Sequence, residues 1–314
     1  MNDSVKNSKY GLNRGNLKMI ALFCMALDHF SEIIIETYLK SLNSNSFSYA
    51  GLTLADFVLR SVGRLAFPIF CFFIVEGFFH TRSVFKYALR LALLGIVSEV
   101  PYDIARFRKL SEFSENNVFW TLLIGLVAIY CIDGIYSRFN CKKALKHLSA
   151  VLISLLSFVL VCTLKSDYAA LGVAAIIIIY LTVKEKYILS LFIYVLAIPF
   201  NFLYLLEEVI NYDKTMSIWY YVAFLAVHSL FWLSVSLVAL CFTKKIINRE
   251  SRKMYAACFA LCAVSPIEFP ALADVFLMKF YNGEKGKRIG WLFYLFYPLH
   301  LLALAGLGRL LKIF

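Results

Sequence analysis

Charge is what this sequence has least of. Asp, Glu, Lys and Arg make up 17% of its 314 residues, against about 25% in soluble domains. Hydrophobic residues reach 61%, and the mean hydropathy is +0.74. That shortage excludes an ordinary soluble protein, and no stretch between the apolar runs is long enough to fold alone. Catalytic signatures are also missing: there is no P-loop, no GxGxxG after a strand, no GxSxG elbow and no HExxH. Their absence argues against ATP-driven transport and zinc proteolysis. The eight cysteines form no CxxC pair, and no His stands at ligand spacing beside them. Neither a structural disulfide nor a metal site is expected, and most of these thiols serve as small apolar side chains. Low-complexity tracts and clear repeats are lacking too.

What is present is a series of long apolar runs, each near the roughly 20 residues needed to cross a bilayer. The expected fold is all-α: a polytopic integral membrane helical bundle of about ten spans. These lie over 17–36, 63–80, 85–101, 117–136, 147–164, 168–183, 187–205, 218–242, 254–277 and 290–310. Residues 1–16 form a polar, basic tail, and 17–314 a single transmembrane domain. Because the first apolar run is full length, it reads as a membrane helix with a cytoplasmic N-terminus, not as a cleaved signal peptide. Residues 52–62 (LTLADFVLRSV) suit a short amphipathic helix on the outer surface.

The formal net charge is +12. In this setting it points to an anionic membrane surface, with no nucleic acid as partner. With the N-terminus inside, Lys6, Lys9, Arg14, Lys18, Arg82, Lys86, Arg90, Arg138, Lys142, Lys143, Lys146, Lys184 and Lys186 fall on the cytoplasmic side, as do the bases of 244–253. Two outer loops oppose the rule. One holds Arg106, Arg108 and Lys109; the other is YNGEKGKRIG, residues 281–290. Either the count slips by one near the end, or those bases bind something.

Several polar groups stand inside apolar runs. LKMIALFCMALDHFSEIII (17–35) carries Asp28, His29 and Glu32, at spacings that put all three near one helix face. An Asp near a helix centre costs about 2.5–3.5 kcal/mol on insertion scales, so it needs a partner, a wet cavity or a task. A carboxylate beside an imidazole prepares a general base; a polar network that only glues helices together is the competing explanation. In GRLAFPIFCFFIVEGFFHT, Arg64 at the outer end suits snorkelling, whereas Glu76 lies deep. Arg90 stands where it can pair with Glu76 or hold a phosphate. His228 and His300 sit near mid-membrane, and a lone buried His is more often packed core than ligand. Glu268 lies between Pro266 and Pro270, in a broken helix.

LKMIALFCMALDHF, GRLAFPIFCFFIVEGFFHTRSVFKYALRLALLGIVSEVPYDIA, NNVFWTLLIGL, DYAALGVAAIIIIY and GKRIGWLFYLFYPLHLLAL occur in this order along the chain. Together they resemble the TraX family, whose namesake is a conjugative-plasmid membrane protein that N-acetylates pilin. The resemblance covers essentially the whole chain, with 36–62 and 184–280 less family-specific and Glu32 not tied to the pattern. It implies acetyl transfer from acetyl-CoA to an amine or hydroxyl of a membrane-presented acceptor, a peptide or a saccharide, in a bacterial-type cytoplasmic membrane. His29 would be base or transient acyl carrier, oriented by Asp28. Arg64, Asn117, Thr121 and His300 would donate or orient. Glu76 and His80 join them as substrate-binding candidates, and Arg82, Lys86 and Arg90 would meet the CoA phosphates. Two rivals stay open: a proton-coupled transporter and a non-catalytic assembly factor of a surface apparatus.

Overall fold

The computed structural model describes residues 11–42, 47–140, 142–212, 219, 223, 226, 227, 266–286 and 290–313, and the side chains of 201–212 are not among what it describes. Helix α1 (Arg14–Phe30) runs through a π turn (Ser31–Ile35) into α2 (Glu36–Leu39). Then follow α3 (Phe47–Gly63), α4 (Ala66–His80), α5 (Val84–Phe107), α6 (Phe119–Arg138), α7 (Lys143–Thr163), α8 (Ala169–Val183) and α9 (Tyr187–Tyr212). A 3₁₀ segment (Pro266–Ala273), α10 (Asp274–Lys279) and α11 (Gly290–Leu310) complete the set. Among the described residues there is no strand, only isolated bridges between Leu12 and Tyr281 and between Asn116 and Ser166.

Local chemistry sets several ends. The Asn13 side chain accepts from the Asn16 N–H (2.9 Å) and caps α1; Ser83 does the same for the Lys86 N–H at the start of α5 (3.3 Å). Among the described residues four stretches are long and apolar enough to cross a membrane: Phe47–His80, Phe119–Arg138, Lys143–Thr163 and Leu292–Leu310. On α7, Leu145, Leu148, Leu152, Leu156 and Leu160 are all exposed at helical spacing. An apolar stripe of that length faces lipid, not water. By contrast every residue of α8 from Ala169 to Thr182 is buried. This is a membrane protein whose core is wrapped around α8.

The direction of each helix follows from its partners. Arg14, at the start of α1, pairs with Glu76 near the end of α4, and Asp28 near the end of α1 pairs with Arg64 ahead of α4. The two helices are therefore antiparallel. On α11, Phe293 meets Lys18 and His300 meets His29, so α11 runs parallel to α1. What differs from expectation is the side on which the last loop lies, and the reason is visible at 280–284. The Leu12 N–H donates to the Phe280 carbonyl (2.8 Å), the Asn282 N–H to the Leu12 carbonyl (3.0 Å), and the Arg14 N–H to the Glu284 carbonyl (2.8 Å). The YNGE stretch thus lies on the same face as the N-terminus, not on the opposite one. The spans expected over 218–242 and the first part of 254–277 lie outside the described residues, as does His228.

The amphipathic stretch 52–62 is also placed differently. It belongs to α3, which leads through a turn at Arg64–Leu65 into α4 and packs against α1 and the π turn. The basic stretch 106–118 does lie on the far face. Arg106, in the last turn of α5, is matched there by Glu32 and Glu115, and Lys109 by Glu112. Cys24, Cys71, Cys131 and Cys162 are free.

Candidate functional site

A cavity of about 280 Å³ opens between α1, α4, α5 and α11. Lys18 lines the end nearest the N-terminal face; Asp28, His29, Glu32, Arg60, Arg64, Arg106 and Asp167 line the rest together with aromatic rings. A small-molecule site has this make-up, apolar walls with a few convergent polar groups.

The sequence builds the polar end from two helices. The i, i+4 spacing of Asp28 and Glu32 turns both toward Arg60 of α3, His29 turns toward α11, and the π turn that holds Glu32 is the kind of helix irregularity that recurs at functional sites. Across from them, Arg60 donates to Asp28 (2.9 Å) and also reaches Glu32 (3.6 Å) and Glu36 (3.3 Å). Arg64 bridges Asp28 (3.7 Å) and Glu268 (2.7 Å), and Arg106 holds Glu32 (3.3 Å). Gly63 permits this approach, since a Cβ there would collide with the Asp28 side chain. Buried charges are retained only when paired in this way.

His29 is engaged by a second histidine. Its Nδ1 lies 2.7 Å from Nε2 of His300, and the ring planes are within 10° of parallel with centroids 5.0 Å apart. That is an in-plane N–H···N bond. The chain of bonds assigns the tautomers. The Phe296 carbonyl can only accept, so the His300 Nδ1–H donates to it (2.8 Å). For neutral rings, His300 Nε2 then accepts from the His29 Nδ1–H. This leaves Nε2 of His29 with a bare lone pair, on a residue that lines the cavity. The hydrogen-bond partner of His29 is thus His300 and not Asp28, whose Oδ2 accepts from Arg60 and whose Oδ1 faces Arg64 at 3.7 Å without a hydrogen bond.

The remaining sequence candidates divide. Arg64 is buried in the network instead of snorkelling. Glu76 accepts from Arg14 (2.9 Å) and Tyr281 (2.6 Å) at the N-terminal face; it does not pair with Arg90 and does not line the cavity. His80, Arg82, Lys86 and Arg90 are exposed and lie off the cavity wall, although Tyr87 among them is on it. Asn117 and Thr121 are fully buried but point into structure. The Asn117 amide donates to the Gly95 carbonyl (2.9 Å) and to Glu99, and the Thr121 hydroxyl donates to the Asp167 carbonyl (2.5 Å). Thr121 thereby shapes the turn that presents Asp167 and Tyr168. That turn is strained, with Tyr168 at φ 60° and Ala169 at φ 35°. Tyr168 stacks on Phe67 with centroids 3.7 Å apart.

Residues missed by sequence reasoning are Lys18, Arg60, Arg106, Asp167 and Tyr297. The i, i+4 spacing of Arg60 and Arg64 was the available signal for one of them. Arg106 announced itself by breaking the loop-charge rule. Asp28, His29 and Glu32 offer ligand atoms within 4.8 Å of one another, close enough for a divalent ion. Guanidinium groups already neutralise both carboxylates, however, so an ion there would have to displace them.

A part-buried histidine pair beside a network of ion pairs, in a cavity between helices, marks a membrane protein with a polar interior. The TraX protein family model matches residues 13–228 and 210–308, and the chain belongs to that family. Among its relatives, the probable fimbrial assembly protein FimC, serogroup H1, of Dichelobacter nodosus is 36% identical over 120 residues, 36% of this chain and 43% of that protein. The uncharacterized protein RP591 of Rickettsia prowazekii (strain Madrid E) is 25% identical over 170 residues, 54% of this chain and 56% of that protein. The chain thus matches about half the length of these curated relatives. No solved structure matches it.

Proposed function

We propose that this protein is a membrane acyltransferase that passes an acyl group, acetyl from acetyl-CoA, to an amine or hydroxyl of an acceptor presented at the far face. The observation that carries this reading is the bare Nε2 of His29, held by a second imidazole in a cavity between the helices. Acyl transfer needs a base at the acceptor, and Nε2 can take the acceptor's proton as its nitrogen or oxygen attacks the thioester carbonyl. The tetrahedral adduct then collapses, the carbon–sulfur bond breaks and the thiolate leaves, taking up a proton. Asp28 and Glu32 favour the imidazolium while it lasts. His300 is a positioning residue: it fixes which nitrogen of His29 is bare. The acceptor is a peptide or saccharide. Membership of the TraX family supports the reading, and the name of the Dichelobacter relative connects it with assembly of a surface apparatus.

The N-terminal face is taken as cytoplasmic, in a bacterial-type cytoplasmic membrane. With 280–284 on that face, Lys285 joins Arg14, Lys18, Arg138, Lys142, Lys143, Lys146, Lys184 and Lys186 there, as the positive-inside rule requires. An assembly factor without catalysis is the second reading, favoured by that same relative's name.

The two are separated by transfer of labelled acetyl from acetyl-CoA to peptide and saccharide acceptors in proteoliposomes. His29→Ala should lower turnover about 10²–10⁴-fold. His300→Phe, which keeps the ring and loses the acceptor nitrogen, should lower it by about a hundredfold through misplacement. Both variants should keep the wild-type melting profile. Undiminished transfer by His29→Ala would sink the role given to that residue, and absence of any transfer by wild type would favour the assembly factor.

A further inference from the structure

The two ends of the cavity differ in one respect that the acyl-transfer chemistry leaves unused. At the polar end each of Arg60, Arg64 and Arg106 is matched by at least one carboxylate. At the N-terminal end the one cation on the wall among the described residues is Lys18. Among the described residues Lys18 makes no ion pair. Its ammonium stands over the rings of Phe73 (4.9 Å) and Phe293 (5.2 Å). Glu76, which would be the obvious counter-ion at this end, is already held by Arg14 and Tyr281. One turn before Lys18, the buried Nε–H of Arg14 also finds no acceptor among the described residues. A snorkelling lysine turns its head out to water. Here the head is turned over aromatic rings on a cavity wall, and among the described residues no carboxylate pairs with it.

The distance is informative. Lys18 and His29 are eleven residues apart on one helix, about 16 Å at 1.5 Å per residue. Between them the wall is apolar and aromatic, with Leu22, Met25, Ile74 and Leu91. A ligand that fits must be anionic at one end, slender and uncharged along its middle, and reactive at the other end.

We propose that Lys18 binds the phosphate end of an acyl-thioester donor whose pantetheine arm lies along the cavity, with the thioester toward His29. This rests on the acyltransferase reading above. It moves the phosphate contact from the exposed Arg82, Lys86 and Arg90 to the cavity mouth. Lysine is a point charge that suits phosphate, and charge-assisted bonds are about twice as strong as neutral ones.

The test is calorimetric titration of the detergent-purified full chain with two donors: acetyl-CoA, and S-acetyl-pantetheine, which has the arm and thioester but no phosphate. Wild type should bind acetyl-CoA more tightly. Lys18→Met should weaken acetyl-CoA about tenfold and leave S-acetyl-pantetheine unchanged. Lys18→Arg should restore most of the loss. Unchanged S-acetyl-pantetheine binding also certifies that the variant is folded; if Lys18→Met does not fold, Lys18→Gln is read in the same way. Equal weakening of both donors, or of neither, overturns the placement of the phosphates at Lys18. Wild type that binds neither thioester overturns the acyltransferase reading itself, and this inference with it.

Discussion

Helices α1 and α8 are both laid through the middle of the molecule, and they are fixed there by different forces. In α8 every side chain from Ala169 to Thr182 is buried, and the contacts are of shape except at its end, where the Tyr180 hydroxyl donates to Asp133 (2.6 Å). Gly172 lies against Thr121, Phe67 and Tyr168, and Gly125 of α6 lies against Ile176, with no room for a Cβ in either place. Helix α1 buries Leu17, Ala21, Leu22 and Cys24 in the same manner, then changes character. Its last turn carries Asp28 and His29, whose partners are charges and an imidazole from α3 and α11. A helix held by shape asks only that its neighbours be close. A helix held by charge asks that particular atoms be present, and those are the atoms that can do chemistry.

Substitutions can break this contrast. The largest effect on stability is expected from Arg60→Ala, which strips Asp28, Glu32 and Glu36 of a shared cation. Removing one partner of a buried pair costs about 3–5 kcal/mol. Arg60 and Asp28 keep 21% and 14% of their side-chain surface exposed, which brings the expected loss toward the lower figure. Thermal or denaturant unfolding in detergent would report it. A melting point equal to wild type would mean that the α1 network is not what holds α3 in place. Gly172→Val should cost somewhat less, about 1–3 kcal/mol from overpacking, and its damage should appear in melting before it appears in acetyl-CoA binding. If binding failed first, the shape-held and charge-held regions would not be separable. The smallest effect is expected from Arg90→Glu. An exposed side chain off the cavity wall should shift stability by no more than about 0.5 kcal/mol and leave acetyl-CoA affinity unchanged. A clear loss of affinity would return the phosphates to α5.

The fold was largely legible because the bilayer makes it so: runs of apolar residues long enough to cross it have few alternatives. The middle of the site was legible for a related reason, since Asp28 and His29 are conspicuous inside LKMIALFCMALDHFSEIII. Pairing was not legible. That His29 meets His300 across 271 positions, and that Arg60 answers Asp28 in place of an Asp28–His29 bond, depends on how helices cross. Helix-face periodicity carries no information on that. The side of 281–284 was misread because the loop-charge rule flagged 281–290 without saying which of two faults it signalled. Arg106 was flagged by the same rule and proved to be paired, so one signal had two physical origins. Lys18 was hidden among ordinary positive-inside bases, and only its position over Phe73 and Phe293 sets it apart.

The bridge between Leu12 and Tyr281, with the bond from the Arg14 N–H to Glu284, bears on the order in which the protein comes into being. His29 is made 271 residues before the imidazole it meets, and Arg14 long before the Glu284 carbonyl that receives its N–H. During synthesis α1 can find Glu76 while both of these later partners are still missing. A chain cut short between the two histidines would leave the His29 ring without the neighbour that sets its tautomer.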